Sequence, residues 1–250
     1  MKKILFVLLG LVLMFTLVGC KDKPTPVEPD DPVNPDNPDG PVVDDKEITK
    51  DNLGKKLEAL EKEYNESKKA GVEVNLVNGD ATMSVVLVYE LGNDGLYKAL
   101  QYELKGTKNV ALYIKDDVVY STAGGSKSKE DLDATVNETI VADYGLEALL
   151  KDVTAFYKDA AVFSNLTKVS GENGVYTFEL DLAKYATEST VKAFNTAGKD
   201  KLLVIITTSS EKITAVKVEA KEGEKTLSTE IKYLGFDKAP TYPTDLDTYK

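Results

Sequence analysis

Apolar and polar residues alternate along most of the chain between residues 72 and 234, and this period of two constrains the fold most strongly. In Ala81–Leu91, for example, every second residue from Met83 to Leu91 is apolar. Such alternation is typical of strands that turn one face toward a core. Short turns such as Asp116-Asp117 separate the runs, so neighbouring strands are predicted to be antiparallel. The predicted strands are 72–77, 81–91, 96–105, 110–115, 118–122, 166–170, 175–182, 202–209, 213–220 and 226–234.

Three other segments have the periodicity of amphipathic helices. The first is predicted to begin at Thr49 or Asp51, either of which can cap a helix, and to run to about Ala70. The second is predicted over 142–160 and the third, a short helix, over 187–196. The chain therefore combines many strands with a few helices, and the strands do not alternate with the helices.

Two segments have neither the period of a strand nor the period of a helix. Residues 123–137 are rich in Gly, Ser, Lys and Asp, which predicts an exposed loop, and residues 236–250 contain two prolines and are predicted to pack along a sheet edge. A single sheet of about ten strands curls strongly to manage its edges. The predicted fold class is α+β: one curved antiparallel sheet, a half-open β-barrel of about ten strands, with two or three helices on its concave side.

The N-terminal segment has the composition of an export signal. Two lysines precede an apolar run, 4–18, that is shorter than the roughly 20 apolar residues needed to cross a bilayer. The run ends in Leu17-Val18-Gly19-Cys20, which resembles the lipobox of bacterial lipoproteins. The resemblance implies that residues 1–19 are a signal peptide and that Cys20, the single cysteine of the chain, carries a diacylglyceryl group. The alternative is an uncleaved membrane helix.

The segment that follows is predicted to be a spacer. Residues 20–45 contain seven of the nine prolines and many aspartates, a composition that favours extended polyproline II structure. The predicted organisation is therefore a signal peptide, 1–19, a lipidated cysteine with a disordered tether, 20–45, and a folded domain, 46–250. The predicted location is the extracytoplasmic face of a bacterial cell membrane, to which lipidated Cys20 attaches the chain.

Composition excludes several classes of function. The chain has no His, no Trp and no Arg, so catalysis by Ser-His-Asp, Cys-His or HExxH residues is impossible. The net charge of −11 argues against nucleic acid as a partner. We predict no catalytic residue, no metal site and no cofactor. An enzyme that uses Asp, Glu, Lys or Tyr as its acid and base is the remaining catalytic hypothesis.

The folded domain resembles a known family. The resemblance rests on the order of the helices and strands, on the hairpin Ala111–Thr122 ahead of a Gly-rich loop, and on the ending LGFDKAPTYPTDL. These features are similar to the outer-membrane lipoprotein carriers and lipoprotein receptors, including mycobacterial lipoproteins that carry lipids. The resemblance implies that a curved sheet and its helices enclose an apolar cavity that holds acyl chains.

Alternate residues of the long strands would line such a cavity. The candidates are Met83, Val85, Leu87, Leu100, Tyr102 and Leu104. The alternative is that these side chains are ordinary core, packed against the second helix.

Two functional hypotheses follow. The first is a non-enzymatic surface lipoprotein, expected to be a monomer, that binds a lipid or another apolar ligand in a half-barrel. The second is a structural or sensory envelope protein with a filled core, which acts through contacts with another envelope protein. The volume between the sheet and the helices distinguishes the two.

Overall fold

The computed structural model of the protein describes residues 47–107, 109–150, 164–181, 201–222 and 225–250. The predicted signal peptide 1–19, Cys20 and the tether 20–45 lie outside the described residues, as do the second predicted helix beyond residue 150 and the third, 187–196. The described residues from Ile48 onward belong to one compact unit.

Eleven strands and two complete helices lie in the described part of the chain. Their bounds are α1 Lys50–Glu66, β1 Lys69–Asn78, β2 Ala81–Leu91, β3 Tyr97–Lys105, β4 Val110–Lys115, β5 Val118–Ala123, β6 Ser126–Asp131, α2 Ala134–Tyr144, β7 Thr167–Glu172, β8 Val175–Asp181, β9 Lys201–Ser209, β10 Lys212–Glu222 and β11 Lys225–Gly235. A single 3-10 turn, Leu246–Thr248, follows near the end.

All eleven strands form one antiparallel sheet, in the order β6-β5-β4-β3-β2-β1-β11-β10-β9-β8-β7. Two meanders, β1–β6 and β7–β11, therefore meet where β1 pairs with β11, for example at Val74 opposite Ile231. The prediction of an α+β fold with a single curved antiparallel sheet that does not close is confirmed. The sheet has eleven strands rather than about ten, and the described residues contain two helices.

Tight turns explain why consecutive strands pair. In four hairpins of the described sheet, both central residues have positive φ, which is the geometry of the primed turns that match strand twist. These turns are Asp116-Asp117, Gly124-Gly125, Asn173-Gly174 and Ser210-Glu211.

The Gly124-Gly125 turn shows that one prediction was wrong. Residues 123–137 were expected to be an exposed loop, but the turn reverses the chain so that Ala123 pairs with Ser126 and β6 runs back along β5. α2 then begins at Ala134, where the Asp133 side chain accepts a hydrogen bond from the Val136 amide at 2.8 Å. An edge strand with almost every residue exposed needs no apolar alternation, so its composition is that of a loop.

α1 begins where the sequence predicts and ends earlier. Thr49 is its N-cap, and the Thr49 amide donates to Asn52 Oδ1 at 2.8 Å. The helix ends at Glu66 rather than near Ala70, because Ala70 already pairs with Tyr89 as part of β1. Strand pairing in the sheet therefore overrides the local helical pattern.

Cross-strand register divides the sheet into two chemically different faces. We call one the apolar face; across the middle of the sheet it carries the neighbours Leu104, Val85, Val74, Ile231, Val216, Ile206 and Tyr176. We call the other the polar face; an adjacent row carries Glu103, Val86, Glu73, Lys232, Ala215, Thr207 and Val175. Both rows follow from the alternation of side chains along each strand.

Both described helices pack on the apolar face. Leu53 and Leu57 of α1 belong to the same buried cluster as Phe178 and Val204, which lie on the apolar face of β8 and β9. α2 covers β3: the Asn137 side chain donates to Tyr97 O at 2.9 Å and accepts from the Tyr97 amide at 3.0 Å. These two buried hydrogen bonds fix the position of α2 on the sheet.

The second predicted helix, 142–160, is interrupted in its described part. α2 ends at Tyr144, where the Gly145 amide donates to Val141 O at 3.0 Å, and residues 146–150 are helical again.

Candidate functional site

The six residues predicted to line a cavity share the apolar face of β2 and β3. Val85 lies opposite Leu104, and Leu87 lies opposite Tyr102. The remaining two, Met83 and Leu100, lie on the same face opposite Leu76 and Tyr89. The alternation in the sequence therefore assigned all six to one surface correctly.

These side chains are closely surrounded by protein atoms. Leu87 and Leu100 have 0% of their surface accessible, and Val85, Tyr102 and Leu104 are also buried. A side chain that faces a space large enough for solvent or a ligand retains accessible surface, even inside a closed cavity. Leu87 and Leu100 are therefore packed as core in this structure. Tyr102 is in edge-to-face contact with Tyr144 of α2, with the ring centroids 5.1 Å apart.

Met83 differs from the other five because it is only half-buried. It borders a depression of about 330 Å³ that is open to solvent at the ends of β1, β2 and β3. Leu76 and Val77 contribute the other large apolar side chains of the lining, while Asn75, Thr82, Ser84 and Lys105 contribute polar ones. The depression is shallow and mixed in character, so it is a poorer match for an acyl chain than an enclosed apolar pocket would be.

Tyrosines are concentrated where the helices meet the apolar face. Burial raises the pKa of Tyr89 and of Tyr102 to about 12, and it also raises the pKa values of Tyr97 and Tyr144. The Tyr89 hydroxyl donates to Tyr64 O at 3.2 Å at the end of α1. These hydroxyls stay protonated at neutral pH and can serve as hydrogen-bond donors, but not as general bases.

Carboxylates on the polar face belong to side-chain ladders. The Asn75 side chain donates to Glu73 Oε1 at 2.8 Å and Lys232 Nζ lies 3.2 Å from the same oxygen, and these contacts hold the pKa of Glu73 below its usual range. Burial opposes the ionised form of Glu103, but hydrogen bonds from Lys105, Gln101 and Tyr113 outweigh it, so its pKa is also lowered. Lowered pKa values are the opposite of what a general acid needs.

The described residues contain no group of three or more acidic side chains placed to hold a metal ion.

The C-terminal tail, residues 236–250, lies on a different surface of the sheet, which the sequence did not reveal. One row of cross-strand neighbours crosses the polar face perpendicular to the strands, and we call it the tail channel. Its members are Gly71, Val88, Gln101, Tyr113, Tyr120 and Lys129. Val88 has 0% and Gln101 7% of its surface accessible, although both lie on the face opposite the two helices described above.

The tail follows this row from the centre of the sheet to its edge. At the start, a Cβ added to Gly71 would lie 3.2 Å from Leu234 Cβ and 3.4 Å from Lys238 Cβ, so a glycine permits the close approach. At the far end, the Lys129 amide of edge strand β6 donates to Lys250 O at 3.0 Å.

Hydrogen bonds fix the middle of the tail. Gln101 Oε1 accepts from the Thr241 amide at 2.9 Å and from the Thr241 hydroxyl at 2.8 Å. The Tyr242 hydroxyl donates to Ile114 O at 3.0 Å, and the Tyr249 hydroxyl lies 2.8 Å from Thr122 Oγ1.

Aromatic and charged contacts add to these bonds. The Tyr242 ring meets Tyr113 and the Tyr249 ring meets Tyr120, both edge to face, with centroids 6.3 and 5.6 Å apart. Lys127 forms an ion pair with Asp245, and its Nζ lies 5.0 Å from the centroid of the Tyr249 ring.

The predicted position of the tail was therefore correct only at its end. The tail reaches the β6 edge, but most of it crosses the polar face. The usable signal in the sequence was Val88, Tyr113 and Tyr120, which are apolar or aromatic at positions where the alternation predicts solvent-facing residues.

No helix in the described part of the chain is long and apolar enough to span a bilayer. No known family model matches the chain, and no curated protein sequence matches it.

Proposed function

We propose that the protein is a membrane-anchored extracytoplasmic lipoprotein whose domain is not an enzyme and acts through contacts with another envelope protein. The observation that carries the proposal is the packing of the apolar face, because Leu87 and Leu100 have no accessible surface. A core that is already filled leaves the outer surfaces of the domain for function. In this proposal the curved sheet is a half-open barrel with its helices on the concave side.

Attachment to the membrane rests on the sequence. Cys20 ends the lipobox-like segment, and the proline-rich residues 20–45 follow it. A diacylglyceryl group supplies the two acyl chains that stable anchoring needs. An extended tether would hold the domain away from the bilayer, where it is accessible to a protein partner.

The second candidate function is binding of a lipid or another apolar ligand on the apolar face. The depression beside Met83 favours it, since Leu76, Val77 and Met83 leave apolar surface accessible there. Leu87, Leu100 and Leu104 are buried, so a ligand that reached them would have to displace the side chains that cover them.

Native mass spectrometry of the full chain, extracted from the membranes of a bacterial host, tests both candidates. We expect a mature mass that begins at an acylated Cys20, with no further lipid bound. Leu87→Trp should lower the free energy of unfolding by about 1–3 kcal/mol, because extra volume in a filled core is strained. Val175→Trp is the matched control, since Val175 is 40% exposed.

Lipid that co-purifies with the wild-type chain, and that Leu87→Trp displaces without loss of stability, would establish the ligand-binding function instead. An unprocessed chain without acyl groups would contradict the anchor.

A further inference from the structure

We propose that Glu103 is a positioning residue for the C-terminal tail. It orients the two sheet side chains that contact the middle of the tail, so loss of this carboxylate detaches that part of the tail while the sheet stays folded. In the described part of the chain, the hydrogen-bond and ion-pair partners of Glu103 all belong to β3 and β4, and none belongs to the tail. Glu103 would have this role whether or not the domain contacts another envelope protein.

One oxygen of Glu103 accepts two hydrogen bonds. The Gln101 side-chain amide donates to Glu103 Oε1 at 3.0 Å, and the Tyr113 hydroxyl donates to the same oxygen at 3.1 Å. Lys105 Nζ lies 3.0 Å from the other oxygen, Oε2. Hydrogen bonds to an ionised acceptor are stronger than those between neutral groups. Only 20% of the Glu103 side chain is exposed, so water competes little for these bonds.

The Gln101 amide can satisfy both of its neighbours in one orientation only. A carboxylate accepts and does not donate, so Glu103 requires the Nε2 end of the amide. The Thr241 amide donates at 2.9 Å and its hydroxyl at 2.8 Å, and both require the Oε1 end. Gln101 is only 7% exposed, so water cannot readily satisfy an amide that turns round. Glu103 therefore fixes the orientation in which Gln101 binds the tail.

Tyr113 is the second side chain that Glu103 orients. Its hydroxyl is bonded to Glu103, and its ring meets the Tyr242 ring edge to face, with the centroids 6.3 Å apart. The Tyr242 hydroxyl donates in turn to Ile114 O at 3.0 Å. Thr241 and Tyr242 are consecutive residues of the tail. A single carboxylate thus orients the sheet side chains beside both of them.

The sheet does not need the Glu103 side chain to keep its structure. β3 pairs with β2 on one side and with β4 on the other through backbone groups. The Gly235 amide donates to the Tyr64 hydroxyl at 2.9 Å, and the Phe236 ring packs against the Tyr64 ring, which fixes the end of β11. Opening is therefore confined to the tail beyond these contacts.

The test is hydrogen exchange at the Thr241 amide, followed by NMR in the full-length chain in detergent. We expect Glu103→Ala to accelerate this exchange roughly tenfold and to leave the amides of β2 unchanged. Glu103→Gln keeps an acceptor oxygen where Gln101 and Tyr113 donate, so it should restore most of the protection. In a Gln101→Ala chain, adding Glu103→Ala should change Thr241 exchange by less than about twofold, because the effect passes through Gln101.

Glu73→Ala is the matched control. Glu73 lies in the same cross-strand row as Glu103, accepts a hydrogen bond from Asn75 and pairs with Lys232. Neither of these two partners is bonded to the tail in the described part of the chain, so Thr241 exchange should stay at the wild-type rate.

A folded Glu103→Ala chain in which the Thr241 amide exchanges at the wild-type rate would overturn the inference. Equal acceleration in β2, or an equal effect of Glu73→Ala on Thr241, would also overturn it, because the loss of protection would then be general. Should Glu103→Ala not fold, Glu103→Met, which keeps the side-chain volume without an acceptor, replaces it in every comparison.

Discussion

The two faces of the meander β1–β6 are both covered, but by different means. On the apolar face, Leu87 and Leu100 have no accessible surface, and α2 packs there through Tyr144 against Tyr102 and Asn137 against Tyr97. On the polar face, the C-terminal tail follows a single row of residues and is held by side-chain hydrogen bonds, one ion pair and two tyrosine ring contacts. Packing over a broad area covers the apolar face, and one segment with specific contacts covers part of the polar face.

This difference determines how strongly the apolar core and the C-terminal tail are each held to the sheet. Burial of apolar surface stabilises by roughly 25 cal/mol per Å², so a large leucine contributes more than a single hydrogen bond does. The tail is a single segment, held by these bonds and by ring contacts of Tyr242 and Tyr249. We therefore expect the tail to detach from the sheet at a lower free energy than the packed core needs to unfold.

Leu87→Ala should have the largest effect. The variant removes a fully buried side chain from the apolar face, and such changes lower the free energy of unfolding by about 2–5 kcal/mol. Urea unfolding measures the loss. Val169→Ala, at a residue that is 59% exposed, should change stability by less than about 0.5 kcal/mol. Equal effects of the two changes would mean that the apolar face is not a packed core.

Gln101→Ala should have an intermediate effect that is confined to the polar face. It removes the acceptor of two hydrogen bonds from Thr241, at a cost of about 1 kcal/mol. Hydrogen exchange should accelerate at the tail amides and stay unchanged in β2. Lys98→Ala, at an exposed position of the same strand, is the control. Unchanged exchange in the tail would show that Gln101 does not hold it.

Protonation of Asp245 in acid should have the smallest effect on the free energy of unfolding. A hydrogen bond from Lys127 holds the pKa of Asp245 below its ordinary value of 3.8, so the ion pair stabilises the fold above that value. The contribution is lost as pH falls through the lowered pKa of the folded state. The urea midpoints of the wild-type chain and of Asp245→Asn should therefore differ at neutral pH and converge in acid. A constant difference at every pH would assign the effect to something other than ionisation.

The two edges of the sheet extend the same contrast. Edge strand β6 is charged, and its Lys129 amide donates a hydrogen bond to the end of the tail. Edge strand β7 is exposed at every residue and has a register shift between Lys168 and Ser170. A bulge in an edge strand discourages pairing with other chains. One edge is thus joined to the chain end by one backbone hydrogen bond, and the other has an irregular register.

Sequence reasoning was most accurate where the determinants are local. Period-two alternation and short turns predicted ten of the eleven strands of the sheet, and Thr49, one of the two predicted N-cap residues, is the N-cap of α1. It missed β6, because an edge strand exposed on both faces has no apolar pattern. It also extended α1 too far, since Ala70 has helical spacing but pairs with Tyr89 in the sheet.

The candidate site was less predictable than the fold. Alternation placed Met83, Val85, Leu87, Leu100, Tyr102 and Leu104 on one face, but periodicity carries no information on the volume between that face and a helix. Cavity lining and core packing have the same pattern in a sequence. The lipidation of Cys20 and the apolar ligand stay predictions.

The sequence by itself determined which side of each strand faces the core and where consecutive strands turn, because both depend on neighbours a few residues away. Only the tertiary structure decided that β1 pairs with β11, that the apolar face is filled, and that the tail crosses the polar face. The members of the tail channel come from six strands, β1 to β6, and they form one row only after the register of every hairpin is set. Contacts between residues as distant as Gln101 and Thr241 depend on that register, and no local pattern encodes it.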